Sequence, residues 1–380
     1  MTPGPTSVPP QVLAALAEPV SHHRTPEFRA LLAKLQQDLR YVFQTKQEVC
    51  VLTASGTAGL EAALVTAIAP GSRVLNIISG RFARRWGDMG RAFGLEVVPV
   101  VLEAGTHVTP DRMAELLDEG GSFAAVLITH SETSTATACD LAAVARVIRE
   151  RAPDTLILVD GITSIGAMPF HMDDWGIDAA VTGSQKALMI PPGLAFVALS
   201  ERAWAAADRN ARAAAFYLDL RKYREAARKS DTPWTPAIPL VRAQAVALAM
   251  LRAEGLENAW RRTRAHAETV RQGMQAMGLE LFSRLPADSV TAVRYPPGVD
   301  DGFRRLLKQD HNMDVAGGQD ELSGRIFRVN HMGHTDVYDA LACVAATEHV
   351  LRKLGHPVEP GRGVAAAQKA MEVGVGVSSL

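Results

Sequence analysis

Two residues of the types used in covalent and acid–base catalysis stand where apolar segments of this sequence end. Asp160 closes the apolar run 156–159, and Lys186 lies among small residues in the segment 182–188. A lysine withdrawn from water has a lowered pKa, which frees its amine for Schiff-base chemistry. A carboxylate at the end of a buried strand needs a metal ion or a protonated heterocyclic nitrogen as its partner, unless it caps the next turn. A surface lysine and a capping aspartate are the ordinary alternatives at these two positions.

Two further segments have the chemistry of anion binding. In Ser55, Gly56 and Thr57, small residues let backbone amides approach an anion, hydroxyls add donors, and the start of the next helix favours negative charge. The segment lacks the Gly-Lys-Ser ending of a Walker loop, and a plain helix cap is an alternative. Arg328 stands inside the apolar run 326–330, where a buried guanidinium requires a carboxylate from a substrate or from the protein itself.

Alternating strands and helices are predicted to position these residues. Helical patterns separate most of the short apolar runs, which lie at 49–52, 74–78, 97–102, 124–128, 156–159 and 194–199. Fully apolar strands alternating with helices predict an α/β fold whose mostly parallel sheet is covered on both faces. Ligands of such sheets bind beyond the carboxyl ends of the strands, where Asp160 lies.

The segments before and after these strands predict further helices and a second, smaller domain. A helix should begin at Thr25-Pro26-Glu27 and run toward Tyr41, and a long helical stretch is predicted at about 238–276. Strands near 291–295 and 326–330 and a helix at 335–354 then indicate a separate α+β domain. The predicted division is an N-terminal arm 1–20, a large domain 21–262, a small domain 263–355 and a tail 356–380.

Composition excludes several classes of protein. At 380 residues with 47% hydrophobic residues, the chain can bury a large core and form two domains. The 40 basic and 41 acidic residues leave no basic excess for nucleic acid. The cysteines (Cys50, Cys139 and Cys343) show no metal-binding spacing, which favours a reducing compartment and predicts neither disulfides nor a metal site. No secretory signal or bilayer-spanning run is recognisable, so a cytoplasmic location is expected.

From Pro3 to about Leu354 the sequence resembles the class V aminotransferases of the pyridoxal-phosphate fold type I superfamily, above all their alanine–glyoxylate and serine–glyoxylate branch. The resemblance is carried by the segments 41–45, 55–64, 159–160, 183–188, 216–220 and 255–260. It implies a large domain with a mostly parallel seven-stranded sheet, a smaller C-terminal α+β domain, and pyridoxal 5'-phosphate as cofactor. It also implies a homodimer that acts on a small amino acid and a 2-oxo acid by a ping-pong mechanism.

The resemblance assigns a role to each matching residue. Lys186 would form the Schiff base and later move the α-proton, while Asp160 would keep the pyridinium nitrogen protonated. Arg328 would clamp the substrate carboxylate, and Gly4 in the arm would approach the substrate. The remaining cofactor contacts would come from Ser55, Gly56, Thr57, Phe82, Thr133, Ile162 and Gln185. Trp234 and Thr235 would reach the phosphate of a neighbouring subunit, although the local sequence departs from the Tyr/Thr pattern of some members.

Other readings remain open at this point. A cysteine desulfurase-like lyase shares the fold but needs a nucleophilic cysteine on a loop, which none of the three cysteines provides. A non-catalytic relative would be expected to lose Lys186, Asp160 or Arg328. The favoured donors are serine and alanine, with aspartate, pyridoxamine and ureidoglycine as alternatives, and the expected acceptor is glyoxylate or pyruvate. The roles of His22, His23, His331 and His334 also stay open.

Overall fold

The apolar runs in the first half of the chain form one central sheet. The computed structural model describes residues 1–210 and 215–375. The seven strands of the central sheet are β1 (Val49–Leu52), β2 (Arg73–Ile78), β3 (Glu96–Val101), β4 (Ala125–Thr129), β7 (Leu156–Asp160), β8 (Ala179–Gly183) and β9 (Ala195–Leu199). Their order is β1-β9-β8-β7-β4-β2-β3, and only β9 runs antiparallel to the other strands. The short strands β5 (Ser131–Glu132) and β6 (Thr137–Ala138) form a separate antiparallel pair after β4. The predicted α/β fold with a mostly parallel seven-stranded sheet is confirmed.

Helices cover both faces of this sheet, because its strands are apolar on both sides. In the whole described chain, the α-helices are α1 (Pro10–Leu16), α2 (Pro26–Phe43), α3 (Gly56–Ala67), α4 (Arg81–Ala92), α5 (Pro110–Gly120), α6 (Leu141–Arg151), α7 (Glu201–Arg209), α8 (Leu220–Arg228), α9 (Ile238–Glu254), α10 (Leu256–Ala276), α11 (Gly302–His311), α12 (Val337–Lys353) and α13 (Arg362–Val375). Along β7, Ile157 and Val159 pack into one core, while Leu156 and Leu158 pack into the core on the opposite face. The strand β7 therefore contributes to two hydrophobic layers, whereas the edge strand β3 is only partly covered.

The predicted long helix at 238–276 is two helices in the structure. The helix α9 ends before Gly255, and α10 begins directly after it. Gly255 has a φ of 84°, in the left-handed region where glycine is the least strained residue. The chain therefore turns at this glycine.

A small antiparallel sheet organises the C-terminal part of the chain. Its strands are β10 (Val290–Arg294), β11 (Ala316–Gly317) and β12 (Ile326–Asn330), in the order β10-β12-β11. The helices α10 to α13 share a hydrophobic core with this sheet. The predicted tail contains α13, whereas its residues 376–380 lie outside the described part of the chain. The division of the chain into domains stays a prediction.

The first six residues lie between the central and the small sheet. The Asn330 amide at the end of β12 donates to the carbonyl oxygen of Met1 at 2.9 Å. The Thr6 amide donates to the Gln185 carbonyl at 3.0 Å, and the Thr6 hydroxyl donates to the Lys186 carbonyl at 2.9 Å. The N-terminal segment thus connects the lysine-bearing loop to the strand that carries Arg328.

The cysteines are all free and buried, in β1, before α6 and in α12. Burial raises the pKa of the Cys343 thiol to about 11 and also raises the pKa values of Cys50 and Cys139. Among the described helices, none combines the length and the apolar character needed to cross a membrane.

Candidate active site

A cavity of about 220 Å³ lies where the central strands end. It is lined by Ser55, Gly56, Thr57, Phe82, Arg85, Ser131, Thr133, Asp160, Ile162, Thr163, Gln185 and Lys186. These residues follow strands β1, β2, β4, β7 and β8 or lie at their ends. The sheet therefore brings together segments that are far apart in the sequence, as expected for the carboxyl edge of a parallel sheet.

Asp160 is the last residue of β7 and is 4% exposed. Its Oδ1 accepts a hydrogen bond from the Ile162 amide at 3.0 Å. Burial raises the pKa of Asp160 to about 6, and the nearby charge of Glu132 adds to the rise, while the Ile162 hydrogen bond opposes it. The carboxyl group is therefore mostly ionised at pH 7 and is suited to a cationic ligand.

Lys186 follows β8 and reaches across the cavity to the N-terminal segment. Its Nζ donates to the Pro3 carbonyl at 2.7 Å. A methyl group built on Gly4 would lie 2.2 Å from Nζ, so a side chain there would displace the lysine. Burial and the positive charge of Arg328 lower the pKa of Lys186 to about 8. A sizeable fraction of the amine is thus neutral near physiological pH, as a nucleophile or a proton acceptor requires.

The start of α3 forms a cradle for an anion. Ser55 is its N-cap residue, and its hydroxyl makes no capping bond to the helix. Gly56 lets the Ile162 side chain pack against the start of the helix, because a methyl group on Gly56 would lie 2.8 Å from Cδ1 of Ile162. The Gln185 side chain adjoins this cradle with its Oε1 buried and unpartnered in the described residues. Amides, hydroxyls and a carboxamide at a helix start suit a phosphate group.

Phe82, Thr133 and Ile162 form the walls beside Asp160. Phe82 lies in the first turn of α4, and the Arg85 guanidinium carbon is 4.9 Å from the centre of its ring. The Thr133 hydroxyl is 3.0 Å from the hydroxyl of Thr163. All of these side chains line the cavity.

Arg328 lies in β12 beside the cavity and is 5% exposed. Its Nη1 donates to the Thr133 carbonyl at 2.8 Å, and Nε and Nη2 donate to the Gly317 carbonyl at 3.0 and 2.7 Å. Burial lowers the pKa of Arg328 to about 10, so it remains charged at pH 7. Carbonyl oxygens fix its orientation without neutralising its charge, which leaves it suited to a carboxylate ligand.

Trp234 and Thr235 do not line the cavity of their own chain. Trp234 donates its indole N–H to the Tyr223 hydroxyl at 3.0 Å and stacks with Tyr217, while Thr235 is exposed. Their contact with a neighbouring subunit stays a prediction. His22 and His23 likewise lie outside the cavity lining.

The structure adds Arg85, Ser131 and Thr163 to the cavity lining. Arg85 follows Phe82 by one helical turn, and Thr163 follows Ile162 directly, so spacing from predicted residues could have indicated both. The contact of Glu132 with α4 was not recognisable in the sequence, because the amides of Phe82 and Ala83 lie about fifty positions away in the chain.

The chain is similar to known proteins over nearly its whole length. The statistical model of the family described as aminotransferase class V matches residues 2–320. The soluble hydrogenase 42 kDa subunit of Anabaena cylindrica is 41% identical, over 97% of both chains. The L-aspartate–glyoxylate aminotransferase of Paracoccus denitrificans is 37% identical, over 97% of this chain and 94% of the relative. The ureidoglycine–glyoxylate aminotransferase of Bacillus subtilis is 31% identical in sequence. Its crystal structure matches 98% of this chain and 97% of its own, with a TM-score of 0.92.

Proposed function

The chain belongs to the class V aminotransferases, and from this premise we propose that it transfers the amino group of serine or alanine to glyoxylate or pyruvate. The family makes it a pyridoxal-phosphate-dependent transaminase whose substrates are amino acids and 2-oxo acids. Glyoxylate as acceptor is supported by the names of two relatives described above. A small donor is supported by a cavity of about 220 Å³ that must also hold the cofactor.

The cavity fits pyridoxal phosphate. Ser55, Gly56, Thr57 and the side-chain Nε2 amide of Gln185 would donate hydrogen bonds to the phosphate, and the buried carboxylate of Asp160 would meet the protonated ring nitrogen. Phe82 and Ile162 would enclose the ring, with Thr133 at its edge. When bound, the cofactor supplies an electron sink that stabilises negative charge at the substrate α-carbon.

The reaction also needs a proton acceptor and a carboxylate clamp. With a pKa of about 8, the amine of Lys186 can accept the α-proton of the donor and return a proton to the product. The guanidinium of Arg328 would bind the α-carboxylate and so orient the reacting carbon. Donor and acceptor both carry this carboxylate, so one clamp serves both half-reactions of a ping-pong cycle. The observation that carries the proposal is that Asp160 and Lys186 line one cavity, while the buried Arg328 donates to the carbonyl of Thr133 in its wall.

Titration of the purified protein with L-serine, L-alanine and L-aspartate tests the proposal. A visible absorption band of the bound cofactor should be bleached by the true donor and restored by glyoxylate or pyruvate. A band that responds to none of these donors would refute the donor assignment but keep the cofactor. A protein without such a band, even after addition of pyridoxal phosphate, would refute the role of Lys186.

Arg85 favours a second candidate donor, aspartate. Its side chain lines the cavity, and its buried Nε has no hydrogen-bond partner in the described part of the chain. A cation in this position would bind a second carboxylate on the donor. Arg85→Met should then raise the KM for aspartate at least 10-fold and leave the KM for alanine within about 2-fold. Equal effects on both donors would exclude this role.

We propose that the functional unit is a cytoplasmic homodimer. Trp234 and Thr235 are the candidates for contacts with the neighbour's phosphate, and their position outside their own cavity supports this. Buried, unpaired cysteines are in keeping with a reducing compartment. Sedimentation analysis of the purified protein should give a dimer, and Thr235→Ala should weaken cofactor binding. A monomer with full activity would refute the proposal.

A further inference from the structure

Glu132 is a fully buried carboxylate whose hydrogen bonds join two segments of the cavity wall. Its Oε2 accepts from the backbone amides of Phe82 and Ala83 at 3.1 and 3.0 Å. Its Oε1 accepts from the amide and the hydroxyl of Ser134 at 3.0 and 2.6 Å. The residue is 0% exposed. A buried carboxylate is costly unless several donors surround it, and these four donors meet that requirement.

Gly80 explains why a residue distant in sequence caps α4. Gly80 is the N-cap residue and has no side chain to accept a bond from the first turn. A methyl group built on it would lie 2.5 Å from Cγ of Glu132 and 2.5 Å from Oγ of Ser134. The helix start still needs an acceptor and favours a negative one. The acceptor comes instead from β5 (Ser131–Glu132), so the backbone of Phe82 is bonded to the residue that precedes Thr133.

The charge of Glu132 also acts on Arg328. Burial lowers the pKa of Arg328, and the negative charge of Glu132 is the largest influence in the opposite direction. The direct partners of Arg328 are the neutral carbonyls of Gly317 and Thr133. Glu132 therefore favours the charged guanidinium from a distance, without taking the place that a substrate carboxylate would occupy.

We propose that Glu132 is a positioning residue of the active site, which fixes Phe82 and Thr133 in one arrangement around the cofactor and thereby holds the Thr133 carbonyl that orients Arg328. The inference rests on the proposed function for the identity of the bound ring. It adds a residue that does not touch cofactor or substrate. Its loss should change the binding of both, because the wall and the clamp depend on the same carboxylate.

Glu132→Gln and Glu348→Gln form a matched pair of variants. Glu348 is 7% exposed and accepts from the amides of Gly361 and Gly363 at 2.5 and 2.8 Å, at the start of α13 and outside the cavity lining. Each substitution removes the charge from a buried carboxylate that accepts backbone amides at a helix start. The two cofactor-free variants should therefore lose similar thermal stability. Only Glu132→Gln should alter the site.

The measurement is titration of each cofactor-free protein with pyridoxal phosphate, followed by tryptophan fluorescence and by circular dichroism of the cofactor band. Glu132→Gln should weaken binding at least 10-fold and reduce the dichroism of whatever cofactor is bound. Glu348→Gln should stay within 2-fold of the wild type in both. Equal behaviour of the two variants would overturn the inference.

Ser134→Ala keeps the test decisive if Glu132→Gln does not fold. It removes one of the four donors and leaves the amides of Phe82 and Ala83 bonded to Glu132, so cofactor affinity should fall about 2- to 5-fold. Unchanged affinity and dichroism in this variant would overturn the inference. These readouts need no turnover. A wild type that binds pyridoxal phosphate but transaminates none of the tested donors would refute the proposed donors and leave the comparison of variants intact.

Discussion

Asp160→Asn should stabilise the cofactor-free protein while it abolishes the function of the site. Burial raises the pKa of Asp160 from its ordinary value of 3.8 to about 6. The difference is worth about 3 kcal/mol at about 1.4 kcal/mol per pH unit. Because the folded-state pKa is raised, the folded protein disfavours the ionised form, and this destabilisation is fully present above pH 6. Asparagine carries no charge and still has an oxygen that can accept from the Ile162 amide.

The pH dependence gives this prediction its sign and its magnitude. The stability difference between Asp160→Asn and wild type should be about 3 kcal/mol at pH 7.5 and shrink to about 0.5 kcal/mol near pH 4. Below pH 3.8 the aspartate is protonated in both the folded and the unfolded state, so the difference disappears. Urea unfolding of the two cofactor-free proteins between pH 4 and 7.5 measures it.

Asp178 provides a control with the opposite sign. Asp178 is 1% exposed and therefore buried like Asp160, but it pairs with Arg149 and accepts from the Ile157 amide at 2.8 Å. Asp178→Asn removes one partner of a buried ion pair and should destabilise the protein by about 3 kcal/mol. A cofactor-free Asp160→Asn protein that is less stable than wild type at pH 7.5 would refute the reasoning. So would a stability difference that does not change with pH.

Three further predictions concern the substrate side of the cavity. Gly4→Ala should weaken cofactor binding at least 10-fold, because the added methyl group would displace Lys186. The control is Gly298→Ala, where φ is 81° and the space around the residue is open, so the protein should lose only roughly 1 kcal/mol of stability. Cofactor titration and thermal unfolding separate the two effects. Arg328→Lys keeps the charge but loses the planar fork, so steady-state kinetics should show kcat/KM reduced roughly 10- to 100-fold for both substrates. Labelling of Lys186 by a small amine-reactive reagent in the cofactor-free protein, read by peptide mass spectrometry, should be half-maximal near pH 8 and move to about 10.5 after denaturation. A half-maximum near 10.5 in the folded protein would contradict the burial argument.

The sequence predicted the elements of the central sheet better than their directions and their ends. The apolar run of β1 matches its strand, because a strand buried on both faces has no polar residue inside it. The reversed direction of β9 was not predictable, since an apolar run reads the same in a parallel and an antiparallel strand. The break at Gly255 was overlooked because the helical periodicity on either side hid a single residue with positive φ.

The predicted site residues lie together where they share the carboxyl edge of the sheet, as Asp160 and Lys186 do. Local motifs indicate such residues, because the apolar strand and the residue that ends it stand next to each other in the sequence. Glu132 is different, because its cap on α4 depends on how β5 and α4 meet in space. Arg85 was not predicted, although it lies one helical turn after the predicted Phe82, because an arginine on a helix is usually solvated.

The burial of the three cysteines makes the protein a convenient host for a single reporter group. With raised pKa values and no exposed sulfur, Cys50, Cys139 and Cys343 should not react with maleimides at neutral pH. A Tyr338→Cys substitution, at a side chain in α12 that is 71% exposed, would then carry the one reactive thiol and accept a spin label without any other mutation. Two copies of the chain that associate would give a defined label-to-label distance, and cofactor loading should shift or sharpen that distance distribution. The native thiols thus leave the molecule ready for distance measurements in solution.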